Sequence, residues 1–150
     1  MIVAFFGHRN FVGTREHKGR IFSELGKFAA DEIRLYFGGY GGFDAFAYSC
    51  CKEYKLMHKG ISLIYVTPYI TVEYQKNVLS QIKSGYDGII YPEIERAPLK
   101  YAISYRNRWI AERADIIISA VDRCYGGAYQ ACAYAKRKGK RIINILSDIT

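Results

Sequence analysis

Residues 33–44 read IRLYFGGYGGFD, an apolar run that passes through four glycines in five positions to an aspartate. We interpret Ile33–Phe37 as a buried strand and Asp44–His58 as a helix, so that the glycines form the turn between them. Backbone without Cβ atoms lets a ligand approach closely, and the amides at the start of a helix favour a phosphate. The turn does not match G-x-G-x-x-G and lacks a P-loop lysine. In the alternative interpretation the turn is merely tight, with Asp44 as the helix N-cap.

Strand-like and helix-like segments alternate along the whole chain. Apolar runs rich in β-branched and aromatic residues predict buried strands, and the longer segments between them have helical periodicity. Such alternation is typical of a parallel sheet with helices on both faces. We therefore predict an α/β fold, a Rossmann-like three-layer sandwich with a mostly parallel sheet, formed by residues 1–150 as a single domain. The predicted strands are Ile2–Phe6, Ile33–Phe37, Ile61–Val66, Gly88–Tyr91, Ile116–Val121 and Arg141–Leu146, and the predicted helices span about His17–Ala30, Asp44–His58, Val72–Ser84, Leu99–Arg113 and Gly127–Lys138.

Further candidate residues follow other strands, at the edge of the sheet where such folds bind ligands. Gly7, His8 and Arg9 follow the first strand, and the Arg9 guanidinium offers a fork of donors to a phosphate, whereas His8 has a structural alternative. Gly126 and Gly127 open the last helix, where they either contact ligand or permit close packing. The predicted ligand- or phosphate-binding residues are Gly7, His8, Arg9, Gly38, Gly39, Gly41, Gly42, Asp44, Arg106, Gly126 and Gly127.

The composition limits the partner and the compartment. The net charge is +8, which favours an anionic partner such as a nucleotide, a nucleic acid or an acidic protein. No apolar run approaches the roughly 20 residues of a membrane span, and we expect no signal peptide, because Met1 leads directly into the first apolar run. The four cysteines and three histidines lack metal-ligand spacing. We therefore expect a cytoplasmic protein with reduced thiols, no metal, no cofactor and no membrane contact, and leave homo-oligomerisation open.

Six short motifs occur in order at the predicted strand and helix ends: GHR at Gly7–Arg9, GGYGGFD at Gly38–Asp44, Thr67-Pro68, RNRW at Arg106–Trp109, Ala114-Asp115 and GGA at Gly126–Ala128. Together they span nearly the whole chain. In this order they resemble the SLOG superfamily, a Rossmann-like group that includes the Lonely Guy phosphoribohydrolases, the YpsA-type proteins and the nucleotide-fold domain of DprA. The resemblance is strongest to the small YpsA-like branch.

This resemblance implies a pocket for a nucleotide or nucleotide-derived ligand, which some branches cleave at the N-glycosidic bond and others only bind or sense. In Lonely Guy enzymes a P-G-G-x-G-T-x-x-E segment supplies a glutamate that acts with an arginine. Here Arg106 matches the arginine, whereas Ala133 stands in place of the glutamate. A carboxylate is the group that meets the positive charge of a ribosyl cation. We therefore predict binding or sensing, with the phosphate held by the glycine turns, Arg9 and Arg106.

Two alternatives remain open. The first is a nucleoside 5′-monophosphate phosphoribohydrolase of the Lonely Guy type whose carboxylate lies elsewhere, at Asp44, Asp122, Glu93 or Glu95. The second is nucleic-acid binding, which the positive net charge and the likeness to DprA favour. Release of free base from nucleoside monophosphates separates the enzyme from the binding protein, and salt-dependent affinity for single strands marks the nucleic-acid alternative.

Overall fold

Six strands form one parallel sheet in the computed structural model, which describes residues 1–69, 71–94 and 96–147. Each predicted strand overlaps an observed one, and all five strand pairings within the described residues are parallel, which confirms the α/β Rossmann-like fold. The strands are β1 (Ile2–Gly7), β2 (Ile33–Phe37), β3 (Ile61–Val66), β4 (Gly88–Ile90), β5 (Ile116–Ala120) and β6 (Arg141–Asn144), in the spatial order β4-β3-β2-β1-β5-β6.

Helical segments connect the strands. The first begins after Thr14, whose hydroxyl accepts a hydrogen bond from the His17 amide and so caps the helix. Among the described residues, none of these helices has both the length and the apolarity needed to cross a bilayer. The helices are α1 (Arg15–Gly26), α2 (Gly41–Met57), α3 (Val72–Tyr74), α4 (Ser80–Ile82), α5 (Ala102–Arg113) and α6 (Gly127–Arg137), with a π turn at Gln75–Leu79 and 3₁₀ turns at Lys83–Gly85 and Leu99–Tyr101.

The interpretation of Asp44 as the N-cap of the second helix is wrong. Helix α2 begins at Gly41, and Tyr40 occupies the N-cap position without a side-chain hydrogen bond. The helix starts earlier because the amides of Gly42 and Phe43 find acceptors in the loop after β1. Asp44 therefore lies in the first turn of α2, buried, where its carboxylate faces back toward the end of β2.

Two apolar layers flank the sheet. On one face α1 and α2 pack against the first three strands, through buried residues such as Leu25, Leu35 and Phe43. On the other face α5 and α6 pack against β1 and β5, where Ile110 and Ala135 belong to the second buried cluster. Small residues of α6 permit close approach to the sheet. The helices thus lie on both faces, as the alternating pattern predicts.

The order of the strands reverses beside β1. The chain builds outward from β1 to β4 and then returns to place β5 on the free side of β1, so that Ala4 pairs with Tyr36 on one side and Ile117 on the other. The loops that leave β1 and β5 therefore diverge to opposite faces. Ligand crevices of open parallel sheets lie at such a reversal, outside the carboxyl ends of the strands.

Gly7, the last residue of β1, packs so closely against α2 that a larger side chain there is expected to destabilise the protein. A Cβ atom at this position would lie 2.2 Å from Cγ of the fully buried Phe43, so the α2 start must shift to accept it. We expect Gly7→Ala to lower the free energy of unfolding by about 1–3 kcal/mol in urea denaturation. Gly19→Ala is the control, since a Cβ meets nothing there and alanine favours a helix interior. Equal stability of the two variants would contradict the tight contact.

Candidate functional site

A cavity of about 480 Å³ opens at the carboxyl ends of β1 and β2, between α5 and the start of α6. Its position is the reversal of strand order described above. Eight of the eleven predicted ligand residues line it, so the fold brings these eight together around one cavity. These eight are Gly7, His8, Arg9, Gly38, Asp44, Arg106, Gly126 and Gly127, and the other lining residues are Phe5, Phe6, Asn10, Tyr40, Ile103, Asn107, Arg123, Tyr125 and Ala128.

The glycine turn after β2 already holds an anion, the carboxylate of Asp44. Its two oxygens accept hydrogen bonds from the amides of Gly38 (3.1 Å) and Gly39 (2.8 Å). Gly39 has φ of +75°, which L side chains rarely adopt, and a Cβ there would meet the Tyr65 ring at 2.3 Å. The turn therefore needs its glycines for the fold. The prediction that its backbone amides bind a ligand phosphate is wrong for Gly38 and Gly39, because Asp44 occupies them.

The start of α2 is closed as well. The amide of Gly42 donates to the carbonyl of Arg9 at 2.7 Å, and the amide of Phe43 donates to the carbonyl of His8 at 3.3 Å. A Cβ at Gly41 would lie 2.8 Å from Cα of Arg9, so the two loops touch through their backbones. Neither Gly41 nor Gly42 lines the cavity. The expectation that Gly41 and Gly42 contact a phosphate is therefore corrected. Carbonyls of the loop after β1 already accept hydrogen bonds from the amides at the start of α2.

Burial perturbs Asp44 strongly. Desolvation raises the pKa of its carboxyl from 3.8 to about 6, although the amides of Gly38 and Gly39 and the charge of Arg106 act in the opposite direction. At neutral pH the group is mostly ionised and its charge is met by hydrogen bonds rather than by water. Asp44 thus works as an internal ligand of the glycine turn.

Arg106 is the largest fully buried side chain, with 2% of its surface exposed. Its Nη1 donates to the carbonyls of Gly38 (2.9 Å) and Val66 (2.8 Å), at the ends of β2 and β3, and its Nε donates to Oδ1 of Asn107. Burial lowers the pKa of the guanidinium, and the nearby Asp44 carboxylate raises it again. Most of the donors of Arg106 thus join two strand ends and α5, and its contact with a ligand phosphate stays a prediction.

The start of α6 differs from the start of α2, because its first amides have no hydrogen-bond acceptor among the described residues. Gly126, the N-cap, has φ of +96°, and no side chain caps the helix. The first backbone bond of the helix runs from the Gln130 amide to the Gly126 carbonyl, and no described residue accepts from the amides of Gly127 or Ala128. A Cβ at Gly126 or Gly127 would meet nothing within 4 Å. Close packing therefore does not explain this glycine pair, and the exposed amides can hold an anion.

His8 lines the same cavity, directly after β1, and is 7% exposed. Its Nε2 accepts a hydrogen bond from the Asp122 amide at 3.1 Å, which requires a neutral ring with the proton on Nδ1. Burial and the charge of Arg123 lower the pKa of His8, and the Asp122 carboxylate opposes them. His8 therefore joins the loop after β1 to the loop after β5, which is the structural alternative that the sequence leaves open.

Two arginines stand at the mouth of the cavity. Arg9 is exposed, and no described carboxylate forms a salt bridge with it. Arg123 pairs with the exposed carboxylate of Asp122 at 3.0 Å and lies over the ring of Tyr125. The cavity thus combines two accessible guanidinium groups with the free start of α6, and its one described carboxylate, Asp44, is already bonded.

The other carboxylates considered for hydrolysis lie elsewhere. Asp122 binds Arg123, and Glu93 is exposed outside the cavity. Glu95 lies outside the described residues. Ala133, the position that the resemblance aligns with a catalytic glutamate, lines a neighbouring pocket between α5 and α6 instead of the main cavity.

Nine of the lining residues were not among the predicted ligand residues, and three of them, Asn10, Ile103 and Arg123, show why. Arg123 carried a usable signal, since it lies in the loop after β5 and three residues before Gly126. Asn10 extends the GHR motif by one position and was equally accessible to that argument. Ile103 had no signal, because an apolar residue in a helix is ordinarily a core residue.

Comparison with known proteins gives structural matches alone. No protein-family model matches the chain, and no curated protein sequence matches it. The DNA processing protein A (DprA) of Streptococcus pneumoniae superposes with a TM-score of 0.62 and 20% identity over 93% of this chain and 48% of that one.

The DprA of Helicobacter pylori, described for its single-stranded DNA binding mode, superposes with a TM-score of 0.60 and 21% identity. The match covers 95% of this chain and 63% of that one. The chain thus spans about half to two-thirds of the length of these relatives. At this identity the likeness concerns the fold, and the chain therefore has the Rossmann-like α/β fold that is also present in DprA.

Proposed function

We propose that this protein binds a nucleoside phosphate in the cavity beside β1 and does not hydrolyse it. The phosphate lies at the start of α6, between Arg9 and Arg123. The observation that carries the proposal is the pair of amides of Gly127 and Ala128, from which no described residue accepts a hydrogen bond and which line a cavity with two accessible arginines. The helix dipole adds positive potential at the same point.

The dimensions and the rim of the cavity support a nucleotide rather than a bare phosphate. Its volume of about 480 Å³ is in the range of small-molecule and cofactor sites. Tyr40 and Tyr125 line it with 43% and 68% of their surfaces exposed, and an exposed aromatic ring gives a base a face on which to stack. Ile103 adds an apolar wall on the α5 side.

The bonding of Asp44 supports binding over hydrolysis. A glycosidase needs a carboxylate that meets the developing charge on the ribosyl ring. Asp44 is the one carboxylate among the described lining residues, and both of its oxygens accept amide hydrogen bonds from the glycine turn. The proposal therefore assigns Asp44 to the scaffold and names no catalytic residue.

A second candidate function is the binding of single-stranded nucleic acid, with one nucleotide of the strand in the same cavity. The net charge of +8 favours it, and so does the fold shared with the H. pylori DprA. This function predicts an affinity for single-stranded nucleic acid that falls steeply as the salt concentration rises.

The proposal predicts a specific pattern of binding. We expect at least one of AMP, GMP, CMP and UMP to bind in isothermal titration calorimetry. Arg9→Gln and Arg123→Gln should each weaken that binding about ten- to a hundredfold, since each removes a charged donor. Arg34→Gln is the matched control, because Arg34 is exposed on β2 at its amino-terminal end.

Two results would contradict the proposal: no binding of any monophosphate at millimolar concentration, or equal losses of affinity in all three variants. Chromatography of the same mixtures should detect no free base. Base release above background, abolished in Asp44→Asn, would instead identify the phosphoribohydrolase alternative.

A further inference from the structure

A second pocket of about 290 Å³ lies between α5 and α6. Asn107 and Gly127 line both this pocket and the main cavity, so the two are contiguous at the start of α6. A phosphate bound at the Gly127 amide therefore lies at the junction between them. A ligand that continues beyond this phosphate enters the second pocket.

The second pocket carries uncompensated positive charge. Arg108 and Arg137 line it, both are exposed, and no described carboxylate forms a salt bridge with either. Both guanidinium groups lie over the ring of Tyr134, at 5.6 Å and 5.8 Å from its centroid. The neighbouring Glu112 accepts a hydrogen bond from the Tyr134 hydroxyl. The ring thus holds the two cations in place without neutralising them.

The remaining lining suits a sugar and a base. Ser104 and Gln130 offer neutral hydrogen-bonding groups at the walls, and Tyr129 presents a ring that is 37% exposed. Ala131 and Ala133 leave the α6 side of the pocket free of bulk. In this arrangement Ala133 provides space, where a glutamate would bring negative charge next to a phosphate.

We propose that the ligand contains two nucleotide units joined through a phosphate, with one unit in the main cavity and the second in the α5–α6 pocket. The joining phosphate lies at the start of α6, and the second unit meets Arg108 and Arg137. This inference rests on the proposed function, because it takes the same phosphate position as its anchor. A dinucleotide and a single strand share this chemistry, and the experiment separates them.

The test compares dAMP, the 5′-phosphorylated dinucleotide pdApdA and a dA 12-mer, together with the thymine series, by fluorescence competition and calorimetry. The dinucleotide should bind about tenfold more tightly than the mononucleotide. Arg137→Gln and Arg108→Gln should remove most of this gain and leave mononucleotide affinity unchanged. Ala133→Phe should act likewise by filling the pocket, and Arg34→Gln is again the charge-matched control.

Equal affinity for mononucleotide and dinucleotide in both series, with no effect of these variants, would overturn the inference and leave mononucleotide binding intact. Absence of binding by every probe would overturn the proposed function as well. Binding of the dinucleotide alone, lost in Arg137→Gln, would support the second pocket and contradict a mononucleotide ligand. A 12-mer that binds no tighter than the dinucleotide identifies a dinucleotide ligand, whereas a further salt-dependent gain identifies a strand.

Discussion

Replacement of Arg106 by alanine is expected to lower the free energy of unfolding by about 3–5 kcal/mol, the largest loss that we predict for a single side chain. The change removes the donor that serves the Gly38 and Val66 carbonyls and leaves a buried void of arginine size. It also leaves the buried Asp44 carboxylate without the positive charge that lowers its pKa. Urea denaturation followed by circular dichroism gives the free energy directly.

Arg108→Ala is the control for this experiment. Arg108 lies two residues further along α5 and is exposed, so its loss should change stability by no more than about 0.5 kcal/mol. If Arg106→Ala keeps wild-type stability and loses nucleotide affinity instead, Arg106 contacts a phosphate, as the sequence alone predicts. If Arg106→Ala loses stability and shows no separate loss of nucleotide affinity, Arg106 belongs to the scaffold.

The second large effect concerns pH. The carboxyl of Asp44 has its pKa raised to about 6 in the folded protein, against 3.8 in the unfolded chain. Its protonated form therefore favours the folded state, fully below pH 3.8 and progressively less as the pH rises to about 6. At 1.36 kcal/mol for each pKa unit, this contribution amounts to about 3 kcal/mol, lost across that window. Asp44→Asn should abolish it, so the difference between the two stability profiles changes between pH 4 and pH 6 and is flat above it.

His8 acts with the opposite sign, because its lowered pKa makes folding less favourable as the pH falls below 6.5. It is present in both proteins, so the difference profile cancels its contribution. Asp31→Asn, which removes an exposed carboxylate, should reproduce the wild-type profile. A parallel pair of profiles for wild type and Asp44→Asn would show that Asp44 titrates alike in the folded and unfolded chain.

The fold was predictable because its central strands, such as β1 and β5, are buried on both faces. Continuous apolar runs such as Ile116–Ala120 have few other interpretations, and the glycine turn marks where β2 ends. Val72–Ser84 was predicted as one helix, whereas the structure divides residues 72–85 into short α, π and 3₁₀ turns. None of its residues is buried, so no packed face selects a single regular helix there.

The site was predictable in its location and less so in its bonding. The residue types and their positions at strand ends placed Arg9, Asp44 and Arg106 around one cavity. Their partners depend on which strands are neighbours: Arg106 bonds a carbonyl 68 residues away and another 40 residues away. The sequence shows that a guanidinium is present, but the sheet order decides whether it meets a carbonyl or a ligand. The membership of the YpsA-like branch stays a prediction for the same reason, since the shared fold does not distinguish between branches.

Mutational freedom is distributed unevenly around this cavity. At the β2 side, Gly38, Asp44 and Arg106 constrain one another, so a change in any one of them disturbs the hydrogen bonds of the others. At the start of α6, open space surrounds Gly126 and Gly127, and Gly127 carries no backbone strain. Substitutions can therefore accumulate at the start of this helix while the strand ends stay fixed, so the two sides of one cavity can diverge at different rates.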